Sequence, residues 1–157
     1  MNINIRKMRE SEYALLNDFL YEAIFIPEGA ELPPKSIINV PELQVYVADF
    51  GRRKDDYCLV AEVDGAVAGA VWVRIMNDYG HIDDDTPSVA ISLYKEYRGC
   101  GIGTEMMKRM LSDLQERGYK KVSLSVQKAN YAVKMYQRVG FEIVDENEEE
   151  YIMVSYL

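Results

Sequence analysis

Arg98-Gly99-Cys100-Gly101-Ile102-Gly103 is the stretch from which the rest of the chain can be read. Just upstream, Val89-Ala90-Ile91-Ser92-Leu93 is apolar and β-branched enough for a buried strand. Downstream, Ile102, Met106, Met110, Leu111 and Leu114 recur at helical spacing. The glycines therefore sit at a strand-to-helix turn. At such a turn the first helical N–H groups lack internal partners and the helix dipole favours negative charge. Glycines let a ligand approach the backbone closely, and the natural guest is a phosphate or pyrophosphate.

Two common phosphate-binding turns do not fit. A phosphate-loop NTPase needs Gly-Lys-Ser/Thr, whereas Gly103 is followed by Thr104 and Glu105. The dinucleotide fingerprint needs a third glycine in a parallel unit near the first strand. Here Met106 stands where that glycine would be, and the preceding strands read as antiparallel.

Working outward, Asn2–Arg6 alternates as a first strand, with Ile3 and Ile5 on one face. Ser11 is placed to cap a helix reaching Ile24, on the stripe Tyr13, Leu16, Leu20 and Ala23. Pro27, Gly29, Pro33 and Pro34 break the pattern, and a short helix follows Pro41. Tyr57–Val63 and Ala66–Met76 read as strands joined by Asp64-Gly65, which suits a type I′ hairpin. Residues 77–87 form a polar connection to the strand before the turn. The helix after the turn runs to Arg117 and stops at Gly118. Lys121–Val126, Phe141–Val144 and Tyr151–Tyr156 are strands, with a helix over Ala129–Val139 and an acidic turn over Asp145–Glu150. The alternation predicts an α+β fold, an α/β mixed three-layer sandwich with a twisted mixed sheet of six to seven strands and helices on both faces. Residues 1–157 read as one domain.

The chain is 48% hydrophobic and 28% charged, with a net charge of −8. That charge opposes a nucleic-acid partner and is compatible with a cationic substrate such as an amine. Cys58 and Cys100 are its two cysteines and show neither metal-ligand nor disulfide spacing, which fits a reducing cytoplasm. No apolar run nears the roughly 18 residues that span a membrane, so no membrane partner is expected.

Glu96-Tyr97-Arg98-Gly99-Cys100-Gly101-Ile102-Gly103 resembles the central motif of the GCN5-related N-acetyltransferases (GNAT family). In those proteins an Arg/Gln-x-x-Gly-x-Gly turn binds the pyrophosphate of acetyl-CoA. A second stretch agrees. Asn130-Tyr131-Ala132-Val133-Lys134-Met135-Tyr136-Gln137-Arg138-Val139-Gly140-Phe141 resembles the family's Asn-x-Ala-x-x-Leu-Tyr-x-x-x-Gly-Phe signature, with Met135 for Leu. The two are separated by one helix and one strand, as in the family, and the order of elements matches along nearly the whole chain.

The resemblance implies a GNAT-like acyl-CoA N-acyltransferase fold over residues 1–157, a single N-acetyltransferase domain. It implies acetyl-CoA as cosubstrate, no metal, and direct attack by a primary amine in a ternary complex. Ile91, Ser92 and Leu93 would offer backbone groups to the pantetheine arm, with the Leu93 N–H as oxyanion donor. Read without the resemblance, these three simply pack a sheet. Gly99, Cys100, Gly101, Ile102, Gly103 and Thr104 would wrap the pyrophosphate, with Ile102 also anchoring the core. Arg98 either adds charge there or braces the turn. Asn130 contacts the cofactor or caps its helix. Tyr136 would protonate the leaving thiolate, or else fill the core.

The strands flanking the turn carry Ala90-Ile91-Ser92 and Ser123-Leu124-Ser125, without a carboxylate, so the general base is open among His81, an acidic residue and water. Glu22, Glu28 and Glu31 are candidates for holding an ammonium group, within or beside a segment 24–47 expected to line the acceptor pocket. The resemblance also allows a homodimer. An acyl-CoA-binding module without turnover and a transferase using another acyl donor remain as alternatives.

Overall fold

The computed structural model describes residues 1–78 and 81–157. Tyr79 and Gly80, within the expected polar connection, lie outside the described residues. Seven strands are present among the described residues: β1 (Ile3–Lys7), β2 (Tyr57–Val63), β3 (Ala66–Arg74), β4 (Ser88–Leu93), β5 (Lys121–Gln127), β6 (Glu142–Glu146) and β7 (Glu150–Tyr156). They form one mixed sheet in the order β1-β2-β3-β4-β5-β7-β6. The α-helices are α1 (Leu16–Glu22), α2 (Pro41–Gln44), α3 (Ile102–Glu116) and α4 (Ala132–Arg138).

The apolar runs of β2 and β3 are explained by burial on both faces. Leu59, Ala61, Val71 and Val73 pack with Ile102, Met106, Met107, Met110 and Leu114 of α3 and with Tyr136 of α4. The alternate residues Cys58, Val60, Ala70 and Trp72 pack with Leu16, Phe19 and Leu20 of α1. A period of two thus places successive side chains in two separate cores. Asp64 and Gly65 adopt φ of 51° and 88°, as a type I′ hairpin requires.

Three boundaries differ from the sequence reading. The expected helix 11–24 is a 3-10 segment, Glu10–Leu15, leading into the shorter α1. Ser11 does not cap it. The Glu12 carboxylate instead accepts the Arg9 N–H at 2.8 Å and both arms of the Arg6 guanidinium at 2.8 Å, which holds its pKa down at about 2. α4 begins later than expected, because the Asn130 side-chain oxygen takes the Ala132 N–H at 2.9 Å. The acidic turn is narrower, since Asp145 and Glu146 pair with Ile152 and Tyr151 in the β6–β7 hairpin.

One buried ion pair ties the layers together. Arg74 and Asp56 have fully buried side chains joined at 2.9 and 3.0 Å. Arg74 also donates to the Val45 carbonyl at 3.0 Å, and Trp72 Nε1 donates to the Tyr46 carbonyl at 3.1 Å. Removing one member leaves an uncompensated buried charge. Asp56→Ala should therefore destabilise the protein by about 3–5 kcal/mol in urea denaturation, far more than substitution of an exposed neighbour.

Candidate active site

The β4–β5 pair is the parallel one, and it is barely formed. Its one register pair is Ser88 with Ser123, beside an N–H···O bond of 3.0 Å from Ser123 to Pro87. Beyond that point the strands diverge. β4 stays zipped to β3 over six register pairs, and β5 to β7 over seven. The Tyr94 N–H reaches the Ala68 carbonyl at 2.9 Å. By strand alternation the backbone groups of Ser92 face β3, and those of Ile91 and Leu93 face the opening. The Ser92 hydroxyl also points away, donating to the Phe19 carbonyl at 2.6 Å. Ser92 is thus set apart from the opening that Ile91 and Leu93 border.

After β4 and a short 3-10 segment, Lys95–Tyr97, comes the glycine turn. Gly99 and Gly101 adopt φ of 78° and 81°, and a Cβ built on either would meet nothing within 4 Å. The turn therefore presents open backbone at the head of α3, whose Glu105 N–H makes its first bond, to the Gly101 carbonyl. The N–H groups of Ile102, Gly103 and Thr104 precede that bond, as anion-binding helix starts require. Ile102 is buried in the core. Cys100 is exposed. Arg98 braces the turn: its Nε donates to the Leu93 carbonyl at 3.0 Å and its Nη2 to the Glu22 carboxylate at 3.1 Å.

A cavity of about 250 Å³ occupies the mouth of the divergence. Ala90 and Ile91 of β4 line it, facing Ser125 and Gln127 of β5, with Tyr136 of α4 and Asn130 beside them. Tyr136 is 8% exposed, and burial pushes its phenol up to about 12. It is thus a held proton at any ordinary pH. Asn130 lines the cavity while its side-chain oxygen accepts the Ala132 N–H at the start of α4.

Tyr46 of segment 24–47 also lines the cavity, together with Asp78 and Glu150, which the sequence reading did not single out. Asp78 accepts the Tyr46 hydroxyl at 3.2 Å on one oxygen and the Ser88 hydroxyl at 3.1 Å on the other. Burial, then the neighbouring Asp78 charge, pushes the Tyr46 phenol well above its ordinary range. Glu150 accepts from Gln127 Nε2 at 3.0 Å. Nothing local marked them: Asp78 stands in a polar connection and Glu150 in an acidic run. The sheet register brings both to the gap.

The other acidic and basic candidates fall elsewhere. His81 lies outside the cavity lining, with its ring bonded to the Met76 carbonyl at 2.9 Å and near Asp84 at 3.4 Å. Glu28 and Glu31 are exposed. Glu22 is spent on Arg98. Ile24, Phe25, Leu43 and Tyr46 of segment 24–47 line the cavity. No group of three or more metal-ligating side chains occurs among the described residues. No helix among them is long and apolar enough to cross a membrane.

Comparison with known proteins agrees with this architecture. Residues 20–141 match the acetyltransferase (GNAT) family model. The chain is 35% identical over 86 residues to the probable N-acetyltransferase camello of Xenopus tropicalis, which covers 53% of this chain and 37% of that protein. It is 31% identical over 62 residues to the [ribosomal protein bS18]-alanine N-acetyltransferase of Haemophilus influenzae, covering 40% and 42%. The chain thus spans less than half the length of these two curated relatives. A crystal structure of the PaiA N-acetyltransferase from Thermoplasma acidophilum in complex with coenzyme A superposes with a TM-score of 0.73 at 20% identity, covering 100% of both chains. That likeness is one of fold.

The open backbone at Gly101 fits a pyrophosphate, and a side chain there would project into the same space. Gly101→Glu should abolish coenzyme A binding in calorimetric titration while circular dichroism stays that of the folded protein. Retained affinity in the folded variant would remove the turn from the site.

Proposed function

The chain belongs to the acetyltransferase (GNAT) family, and from that premise we propose that residues 1–157 act as one acetyl-CoA-dependent N-acetyltransferase domain with a primary amine as acceptor. The observation that carries this reading is the opened β4–β5 pair with the glycine turn at one end and Tyr136 and two carboxylates around its cavity. Acetyl-CoA supplies the activated acetyl group as a thioester.

Each residue then has a physical task. The backbone N–H groups of the turn, Gly99 to Thr104, hold the pyrophosphate, and Arg98 fixes the turn's position through Leu93 and Glu22. The outward backbone groups of Ile91 and Leu93 pair with the amide-bearing arm as a sheet neighbour would. The Leu93 N–H is the donor for the carbonyl oxygen as charge develops on it. Tyr136, its phenol raised to about 12 by burial, keeps its proton until the thiolate departs and then donates it.

The acceptor must arrive as a cation and attack as a neutral amine. Asp78 and Glu150 hold the ammonium group in the cavity. The two hydroxyl bonds to Asp78 leave lone pairs on its carboxylate for a further donor, so Asp78 takes the amine's proton, directly or through one water. Among His81, an acidic residue and water, this assignment takes the acidic residue.

Thiol release from acetyl-CoA across a panel of amines, peptide N-termini and polyamines tests the reading. Amine-dependent release is expected, and its absence across the panel, with coenzyme A bound, would reduce the protein to a binding module. A parallel panel of acyl donors should show preference for acetyl.

Two substitutions separate the roles. Tyr136→Phe should lower kcat by about 10²–10⁴ with little change in coenzyme affinity. A phenol raised to about 12 stays protonated from pH 6 to 10, so the shape of the profile over that range should not change. Asp78→Asn should lower kcat/KM for the amine by about 10² or more and leave coenzyme A binding intact. An unimpaired Asp78→Asn enzyme would return the base to Glu150 or solvent.

A further inference from the structure

A second cavity lies apart from the one at the β4–β5 divergence and shares no lining residue with it. It has a volume of about 360 Å³ and is lined by Lys7, Arg52, Arg53, Lys54 and Arg117 over a floor that includes Tyr13 and Tyr57. Its charge runs against the chain as a whole, which carries 26 acidic and 18 basic residues. Five cations converge from three separate parts of the sequence: the end of β1, the segment before β2, and the residue after α3.

Three of the acidic groups nearby are already engaged, while the Glu10 charge also acts on Tyr13 of the pocket. Asp56, which also lines the cavity, is fully buried and bonded to Arg74 on both oxygens. It accepts the Gly51 N–H at 2.9 Å and the Arg53 N–H at 3.3 Å as well. Asp113 accepts the Tyr57 hydroxyl at 2.6 Å and Arg109 Nε at 3.0 Å. Asp55 accepts the Tyr119 hydroxyl.

Three of the cations have partners that restrain them. Arg53 and the backbone of segment 51–56 are tied down by the buried Asp56, and Arg53 Nη1 donates to the Ile75 carbonyl at 3.1 Å. The Arg117 guanidinium stacks 3.8 Å from the Tyr57 ring centroid, and Lys7 Nζ lies 5.9 Å from it. A sphere of 360 Å³ has a radius of about 4 Å, below the Debye length of about 8 Å at physiological salt, so the charges act on a common guest. Preorganised arginine forks suit phosphate oxygens, and the volume suits a small molecule.

This site is remote from the glycine turn. Arg117 follows α3, whose fifteen residues span about 22 Å from the turn. In the sheet Tyr57 pairs with Val73 and Val73 with Val89, whereas Leu93, next to the turn, pairs with Gly69.

We propose that the pocket formed by Lys7, Arg52, Arg53, Lys54 and Arg117 is a second binding site, for a small molecule bearing two or more linked phosphates. It stands independently of the acetyltransferase reading.

Tripolyphosphate is the probe, titrated calorimetrically at 0.15 M salt into the full chain carrying Gly101→Glu, so that the glycine turn cannot contribute. Saturable binding at one site per chain is expected. Arg52 and Lys54 are exposed, so Arg52→Glu with Lys54→Glu in the same background should leave the fold intact and weaken binding at least tenfold. Arg117→Ala, judged folded by circular dichroism, should also weaken it. Absence of saturable binding, or equal affinity in the charge-reversed variant, would overturn the proposal. Citrate binding as tightly as tripolyphosphate would overturn its phosphate chemistry.

Discussion

The architecture of the site depends on a parallel strand pair that is prevented from closing. β4 and β5 share one register pair, Ser88 with Ser123. Each is committed along its other edge, β4 to β3 and β5 to β7. Antiparallel zippers on the outer sides pull the inner edges apart, and backbone groups such as those of Ile91 and Leu93 are left facing a cleft. Backbone donors and acceptors in such a place need partners, and an extended amide-bearing ligand supplies them. The glycine turn follows the same strand, so under the proposed function the arm and its phosphates would be placed by one divergence.

A second constraint orders the surroundings of that cleft. The Arg74–Asp56 pair is wholly buried, and its desolvation is offset by bonds to Val45, Gly51 and Arg53 as well as between the two charges. Through the Val45 carbonyl, and with help from Trp72, it fixes the start of the segment that presents Tyr46 to Asp78. Through Asp56 it fixes the loop that carries Arg52, Arg53 and Lys54. One guanidinium inside the sheet thus sets both the polar wall of the cavity at the cleft and the cationic wall of the pocket beyond the far end of α3. The two cavities differ in charge, with Asp78 and Glu150 lining the first and Lys7, Arg52, Arg53, Lys54 and Arg117 the second.

Much of this was legible in local sequence because it rests on local physics. The glycine turn between a strand and a helix, the helical stripe through Met106, Met110 and Leu114, and the Asp64-Gly65 hairpin are properties of a few neighbouring residues. So is the apolar run of β2, and these together marked the strands and the helix that follows the turn. The misreadings were also physical. Ser11 had the side chain of a cap, but Glu12, gripped by Arg6 from β1, satisfied the Arg9 N–H instead. That competition involves a partner in another element and leaves no mark within the helix itself.

By itself, then, the sequence determined the turn and the strands and helices around it, because each follows from spacing and conformational preference over short distances, and two stretches that resemble a known family's motifs pointed to the family and singled out Tyr136. Tertiary structure alone decided what stands around the cavity. Asp78 comes from a polar connection, Tyr46 from the exit of α2 and Glu150 from the start of β7, and they meet where β4 and β5 separate. His81, Glu28 and Glu31 had equally suitable chemistry and were left outside. A carboxylate's pattern of neighbours across a sheet is fixed by register and by which edges are already paired, and neither is encoded in the residues beside it.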